Sequence, residues 1–113
     1  MKISKELTRG SNALLVLGVI SKCDMYGYQI VKTIETASND VFIMKEGTLY
    51  PILHQLEKDG CLESYWCEAE GRNRKYYKIT EKGLKQLVRK QEEWQVFSAA
   101  VGKVLGGAGL VRA

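Results

Sequence analysis

The stretch Gly47-Thr48-Leu49-Tyr50-Pro51-Ile52-Leu53-His54-Gln55-Leu56-Glu57-Lys58-Asp59-Gly60 decides the fold. Leu49, Ile52, Leu53 and Leu56 recur at three- and four-residue steps, the spacing of one buried helical stripe. Gly60 follows where a left-handed residue ends a helix most easily. Pro51 fits this reading if it falls in the first turn, where backbone N–H groups lack intrahelical partners. The spacing therefore predicts a helix over Thr48–Lys58. Its other face presents Thr48, Tyr50, Pro51, His54, Gln55 and Lys58, a mixture of hydroxyl, imidazole, amide and ammonium groups. Such a face is usually only solvated, yet the same groups read base edges and phosphates in a major groove.

After Gly60 the period changes to two. Leu62 to Cys67 and Lys75 to Ile79 are β-rich runs on either side of the polar segment Glu68–Arg74, and together they predict a two-stranded hairpin with a basic tip. Trp66, beside Tyr65 on the first of these strands, is expected to pack within the hairpin. Before the deciding stretch, Leu7, Leu14, Val16, Leu17 and Ile20 predict a helix between Ser4 and Ser21, with Ser4 as N-cap. Asp24 is placed to cap a second helix, roughly Tyr26 to Ala37, that turns Ile30, Val31 and Ile34 to one side. Ser38-Asn39-Asp40 reads as a loop, and the apolar run Val41–Met44 has room for a short strand. Thr80 is a natural cap for a long helix from about Glu81 to Leu105.

Three helices, a hairpin and one further helix give a mainly α fold with a small β-hairpin (α+β). Its order is that of a winged helix-turn-helix with a long C-terminal dimerisation helix. The expected division is a DNA-binding unit over 1–80, a dimerisation helix over 81–105 and a frayed, glycine-rich tail over 106–113. Dimerisation is expected because Leu84, Leu87, Gln91, Trp94, Ser98, Val101 and Leu105 form a stripe that Val88, Phe97 and Val104 widen. A helix protruding from so small a domain has little of its own to bury that face against, and a second copy supplies the partner.

Length and composition fit one domain: 113 residues, 45% hydrophobic and 27% charged, with a net charge of +4. Eight cations and only one acid, Glu81, lie between Arg72 and Lys90, so the remainder of the chain is net negative. Concentrated positive charge of this kind is the electrostatic footprint of a nucleic-acid partner, and it brings Arg72, Arg74 and Lys75 forward as wing contacts. A single histidine, His54, supports neither a multi-histidine metal site nor a catalytic set, and no cofactor is implied. Cys23, Cys61 and Cys67 are an odd number without a C-x-x-C pair, which disfavours a disulfide framework or structural zinc. They are expected as reduced thiols, packed or partly packed. No apolar run approaches the roughly 20 residues that cross a bilayer. Glu6 also interrupts the N-terminus before a signal-type segment can form, so the expectation is a soluble cytoplasmic protein.

The motifs resemble one family. Gly47-Thr48-Leu49-Tyr50-Pro51-Ile52-Leu53 with Leu56-Glu57-Lys58-Asp59-Gly60 is similar to the recognition-helix motif of PadR-family transcriptional regulators. Tyr26-Gly27-Tyr28-Gln29-Ile30 is similar to that family's second-helix signature. Gly71-Arg72, Lys75-Tyr76-Tyr77 and Ile79-Thr80-Glu81-Lys82-Gly83 resemble its wing and the start of its last helix. With one C-terminal helix, the chain resembles the short subgroup, and within it the multidrug-responsive repressors.

The resemblance implies a homodimeric repressor bound to double-stranded operator DNA, with Tyr28 joining the contacts named above. It further implies a planar aromatic or cationic small molecule held at the dimer interface. Trp94 would stack on that ligand, beside Gln91 and Ser98, with Gly10 and Leu14 lining the same cavity. Ser98 stands where an acid could attract a cationic ligand, and Glu92 and Glu93 lie nearby. A rival from another class is a winged domain used only for protein contact, which salt-dependent DNA binding distinguishes from a regulator.

Overall fold

A computed structural model describes residues 3–106. In chain order it contains α1 (Lys5–Arg9), α2 (Asn12–Ile20), β1 (Met25–Tyr26), α3 (Gly27–Ala37), α4 (Glu46–Lys58), β2 (Leu62–Ala69), β3 (Arg72–Ile79) and α5 (Glu81–Val104). The α+β winged helix-turn-helix is present, with α3 and α4 as its two helices and β2–β3 as the wing. The tail beyond Gly106 lies outside the described residues.

The first helix differs from expectation in being two. Ser4 caps α1 by accepting a 3.2 Å hydrogen bond from the Leu7 amide, but the chain breaks at Gly10-Ser11 before α2 begins. Glycine and serine are weak helix formers, and α1 buries no residue that could hold the two pieces in line. Only α2 reaches the core, through Val16, Leu17 and Ile20.

Asp24 does not cap the next helix. Tyr26 stands at the N-cap, and its amide donates to Gln29 Oε1 at 3.3 Å. Met25 and Tyr26 instead form a strand that the two-residue length had hidden. They pair antiparallel with Tyr77 and Tyr76, giving a three-stranded sheet of order β1-β3-β2. Val41–Met44 is not a strand. Phe42 and Met44 are half-buried while Val41 and Ile43 are exposed, the alternation a strand would show, but no neighbouring strand pairs with them. The Phe42 amide is held by Ser38 Oγ at 3.0 Å.

The helix α4 starts two residues earlier than its apolar stripe suggested, so Pro51 falls inside it rather than in the first turn. Its missing N–H leaves the Gly47 carbonyl without its usual partner in the ladder, and the ring crowds that turn. Leu49, Leu53 and Leu56 are buried and Ile52 half-buried. The helix then closes on Gly60, at φ 81°, with the Cys61 amide donating to the Leu56 carbonyl at 2.8 Å and the Gly60 amide to Glu57 at 3.0 Å. This pair of bonds is a Schellman closure.

The wing is longer than its β-rich runs, with Leu62 opposite Ile79 and Ala69 opposite Arg72. Its turn is Glu70-Gly71, both at positive φ (53° and 76°), as a two-residue hairpin with right-handed twist requires. From Thr80, the hydroxyl donates to the Gly60 carbonyl at 2.6 Å and accepts from the Gly83 amide at 3.0 Å. One side chain thus fastens the end of α4 to the start of α5. The helix α5 has 24 residues, about 36 Å at 1.5 Å per residue, of which only Gly83 and Leu87 are buried.

Candidate nucleic-acid interface

The recognition face follows from the burial of α4. With Leu49, Leu53 and Leu56 fixed inward, Thr48, Tyr50, Pro51, His54, Gln55 and Lys58 all stand exposed on the outer side. Gln55 Nε2 donates to Asp59 Oδ1 at 2.9 Å, so its amide is already oriented along the helix. The Tyr50 hydroxyl rests against Gly27, the first residue of α3, where a Cβ would collide with it. Partial burial there, reinforced by the Glu46 carboxylate, raises the Tyr50 pKa. Tyr28 is exposed at the start of α3, with the Lys32 ammonium 5.8 Å from its ring centre.

The wing distributes its cations over two faces. Arg72, Arg74 and Tyr76 point to one side of β3, and Asn73, Lys75 and Tyr77 to the other, because strand neighbours alternate. Arg72 is exposed beside the turn. The Arg74 guanidinium lies 4.4 Å over the Tyr26 ring, at the end of an aromatic stack in which Tyr76 meets Tyr26 edge-on and Tyr65 face-on. Lys75 is half-buried near Tyr77. Trp66, expected inside the hairpin, is 65% exposed on the Lys75 side. Parity along the strand could not have placed it: it shares the face of buried Leu62 but lies four residues further out.

The residues assigned to a ligand are not gathered into one cavity of the single chain. Gln91, Trp94 and Ser98 share a stripe of α5, with Trp94 52% exposed and the Ser98 hydroxyl donating to the Gln95 carbonyl. Gly10 ends α1 and Leu14 is half-buried on α2. A cavity of about 380 Å³ lies instead at the start of α3, lined by residues that include Asp24, Tyr26, Tyr28 and Lys32, and it contains none of the five. Of the cysteines only Cys61 is buried; Cys23 and Cys67 are exposed, contrary to the packed thiols expected. Among the described residues no His, Cys, Asp and Glu side chains cluster as a metal site, and no helix is long and apolar enough to cross a membrane.

A helix pair set to offer one polar face, with a hairpin beside it whose second strand is cationic, defines a winged helix-turn-helix of the DNA-binding regulator class. The chain belongs to the PadR-like family of transcriptional regulators, whose family model matches residues 16–89. Its work is regulation of transcription and not catalysis. It is 30% identical over 103 residues to transcriptional regulator Rv3488 of Mycobacterium tuberculosis, covering 91% of each chain. A solved transcriptional regulator from Clostridium thermocellum superposes with a TM-score of 0.83 at 36% identity, over 89% of this chain and 96% of the other. A PadR family regulator from Eggerthella lenta gives 0.80 at 36% identity, over 89% and 87%.

Proposed function

We propose that the chain acts as a homodimeric repressor, with 1–80 reading operator DNA and 81–105 joining two copies. The observation that carries the DNA side is that Thr48, Tyr50, Pro51, His54, Gln55 and Lys58 are all exposed on the outer side of α4 while Leu49, Leu53 and Leu56 are buried on the inner one. In this reading α4 enters the major groove with Thr48 and Tyr50 on phosphate and His54, Gln55 and Lys58 near base edges. Tyr28 supports the backbone contact from α3. Arg72, Arg74 and Lys75 reach flanking phosphates, giving affinity more than discrimination.

The dimer side is supported by α5, where Leu84, Val88, Trp94, Val96, Phe97, Val101, Val104 and Leu105 are all exposed in one chain. Burying apolar surface of that extent against a second copy is favourable at about 25 cal/mol per Å². Control would come from a planar aromatic or cationic molecule stacked on Trp94 between Gln91 and Ser98, completed by Gly10 and Leu14. A tenfold change in operator affinity needs only about 1.4 kcal/mol of differential binding between two dimer geometries.

The test is fluorescence anisotropy of the duplex upstream of the chain's own gene, at two salt concentrations, with and without planar cationic dyes. Salt-dependent binding that dyes weaken is the expected result. Binding indifferent to dyes that quench tryptophan would detach the ligand from control. No binding at low salt would leave a winged domain for protein contact.

A further inference from the structure

Two consecutive residues of β2 hold the base of the wing, one on each face. Ser64 Oγ donates to Glu57 Oε2 of α4 at 2.6 Å, in a half-buried contact. Its neighbour Tyr65 points the other way, because strand residues alternate, and reaches the turn before β1 through Asp24. The rungs on which they stand are the two that β1 completes: Met25–Tyr77–Ser64 and Tyr26–Tyr76–Tyr65. Tyr77 is buried opposite Ser64, and its pKa is raised by that burial and then by the Glu57 carboxylate, so one acid of α4 acts on both wing strands. Beyond these rungs Trp66, Cys67, Glu68, Arg72 and Asn73 are exposed. From Tyr65 to Ala69 the wing projects by four residues, about 13 Å at 3.3 Å each. A tilt at the base is therefore multiplied at the tip.

We propose that Glu57 and Ser64 are a positioning pair that sets the angle of the wing to α4, and with it the spacing between the bases that α4 reads and the flanking backbone. The inference rests on the reading of α4 and the wing as the DNA-binding surface, and it assigns neither residue a contact with DNA. Glu57 stands three residues beyond His54 on the same helix, so its carboxylate refers the wing directly to the reading residues. A hydrogen bond to a carboxylate is shorter and stronger than one between neutral groups. Without it Tyr65–Asp24 is the remaining side-chain tie, on the opposite face, and the wing can pivot about it. The pair acts through geometry, so Glu57→Gln, which keeps an accepting oxygen, and Ser64→Thr, which keeps the donor, preserve it.

The test compares two duplexes from upstream of the chain's own gene by anisotropy, one complete and one lacking the flanking base pairs. Ser64→Ala is expected to weaken binding of the complete duplex about fivefold, the scale of one hydrogen bond, and to leave binding of the trimmed one unchanged. Ser64→Thr and Glu57→Gln should bind the complete duplex as the wild type does. Independently of DNA, 5-fluorotryptophan gives one ¹⁹F resonance for each of the two tryptophans, assigned with Trp66→Phe. In Ser64→Ala the Trp66 resonance, one residue beyond the lost tie, should shift while that of Trp94 stays. An unmoved Trp66 resonance, wild-type affinity for the complete duplex, or an equal loss on both duplexes (the mark of a general loss of stability) would overturn the proposal and leave the DNA reading standing. A wild type that binds both duplexes equally, or neither at low salt, would overturn the reading on which the proposal rests and the proposal with it.

Discussion

Tyr65 Oη donates a 2.5 Å hydrogen bond to Asp24 Oδ2, tying the first strand of the wing to the turn that leads into β1 and α3. The wing is thereby fixed to the helix-turn-helix by a side-chain contact as well as by strand pairing. The Asp24 bond lifts the Tyr65 pKa from the ordinary value of 10.0 to about 12. A raised folded pKa means the neutral phenol is favoured in the fold. The contribution is whole below pH 10 and vanishes as pH rises through about 12. In an ultraviolet titration of the six tyrosines, Tyr65→Phe should remove the latest ionisation. A titration curve whose late component survives this substitution would contradict the assignment.

Gly83 sits where α5 crosses the backbone of Cys61, and a Cβ there would overlap the Cys61 carbonyl and the Ile79 side chain. The carbonyl cannot swing aside, because it also accepts from the Thr80 amide at 3.0 Å. Gly83→Ala should cost about 2–3 kcal/mol, the upper range for overpacking, and the denaturant midpoint would reveal it. Gly27→Ala is a milder case, since only the tip of Tyr50 has to move. A midpoint for Gly83→Ala equal to the wild type would mean that α5 does not approach Cys61 so closely.

For DNA, substitutions on α4 and on the wing should separate. His54→Ala is expected to relax preference at one base-pair position by about 1–3 kcal/mol. Arg72→Ala should weaken all sequences alike and reduce the salt slope by about 0.9. Binding assays against a single-substitution operator set would distinguish the two patterns. The same pattern from both substitutions would show that His54 is a phosphate contact.

Phe97→Glu places a charge in the exposed stripe of α5, on a part of the helix that buries nothing in its own domain. Circular dichroism should stay unchanged while light scattering reports a monomer. The dissociation constant of the dimer should rise by more than about tenfold, since an unpaired charge would have to be desolvated. A dimer of unaltered strength would move the contact between copies off this face.

The regular parts of the fold were legible because each rests on a local period. Leu49, Leu53 and Leu56 marked the inner face of α4, and with it the outer one, without any tertiary information. The alternation around Tyr76 and Tyr77 marked the wing. What escaped depends on distant partners. Met25-Tyr26 is too short to show a period and is a strand only because Tyr76 and Tyr77 come alongside. Val41–Met44 shows a strand's alternation but has no such neighbour. Asp24 was free to be a cap until Tyr65, 41 residues later, took its carboxylate. Trp66 has the right parity for the core but lies beyond the reach of α4, a distance no pattern along one strand encodes.

Strand β1 also has a consequence for the order in which the protein is made. Met25 finds its partner Tyr77 about fifty residues further along the chain, and α3 and α4 both lie between them. A nascent chain that has emerged only to the end of α4 holds both helices of the motif but nothing to pair with β1. Non-local pairings of this kind form late, after local helices. The three-stranded sheet is therefore completed only when the second wing strand leaves the ribosome, and a half-translated chain holds both helices of the motif before the strand that anchors β1 exists.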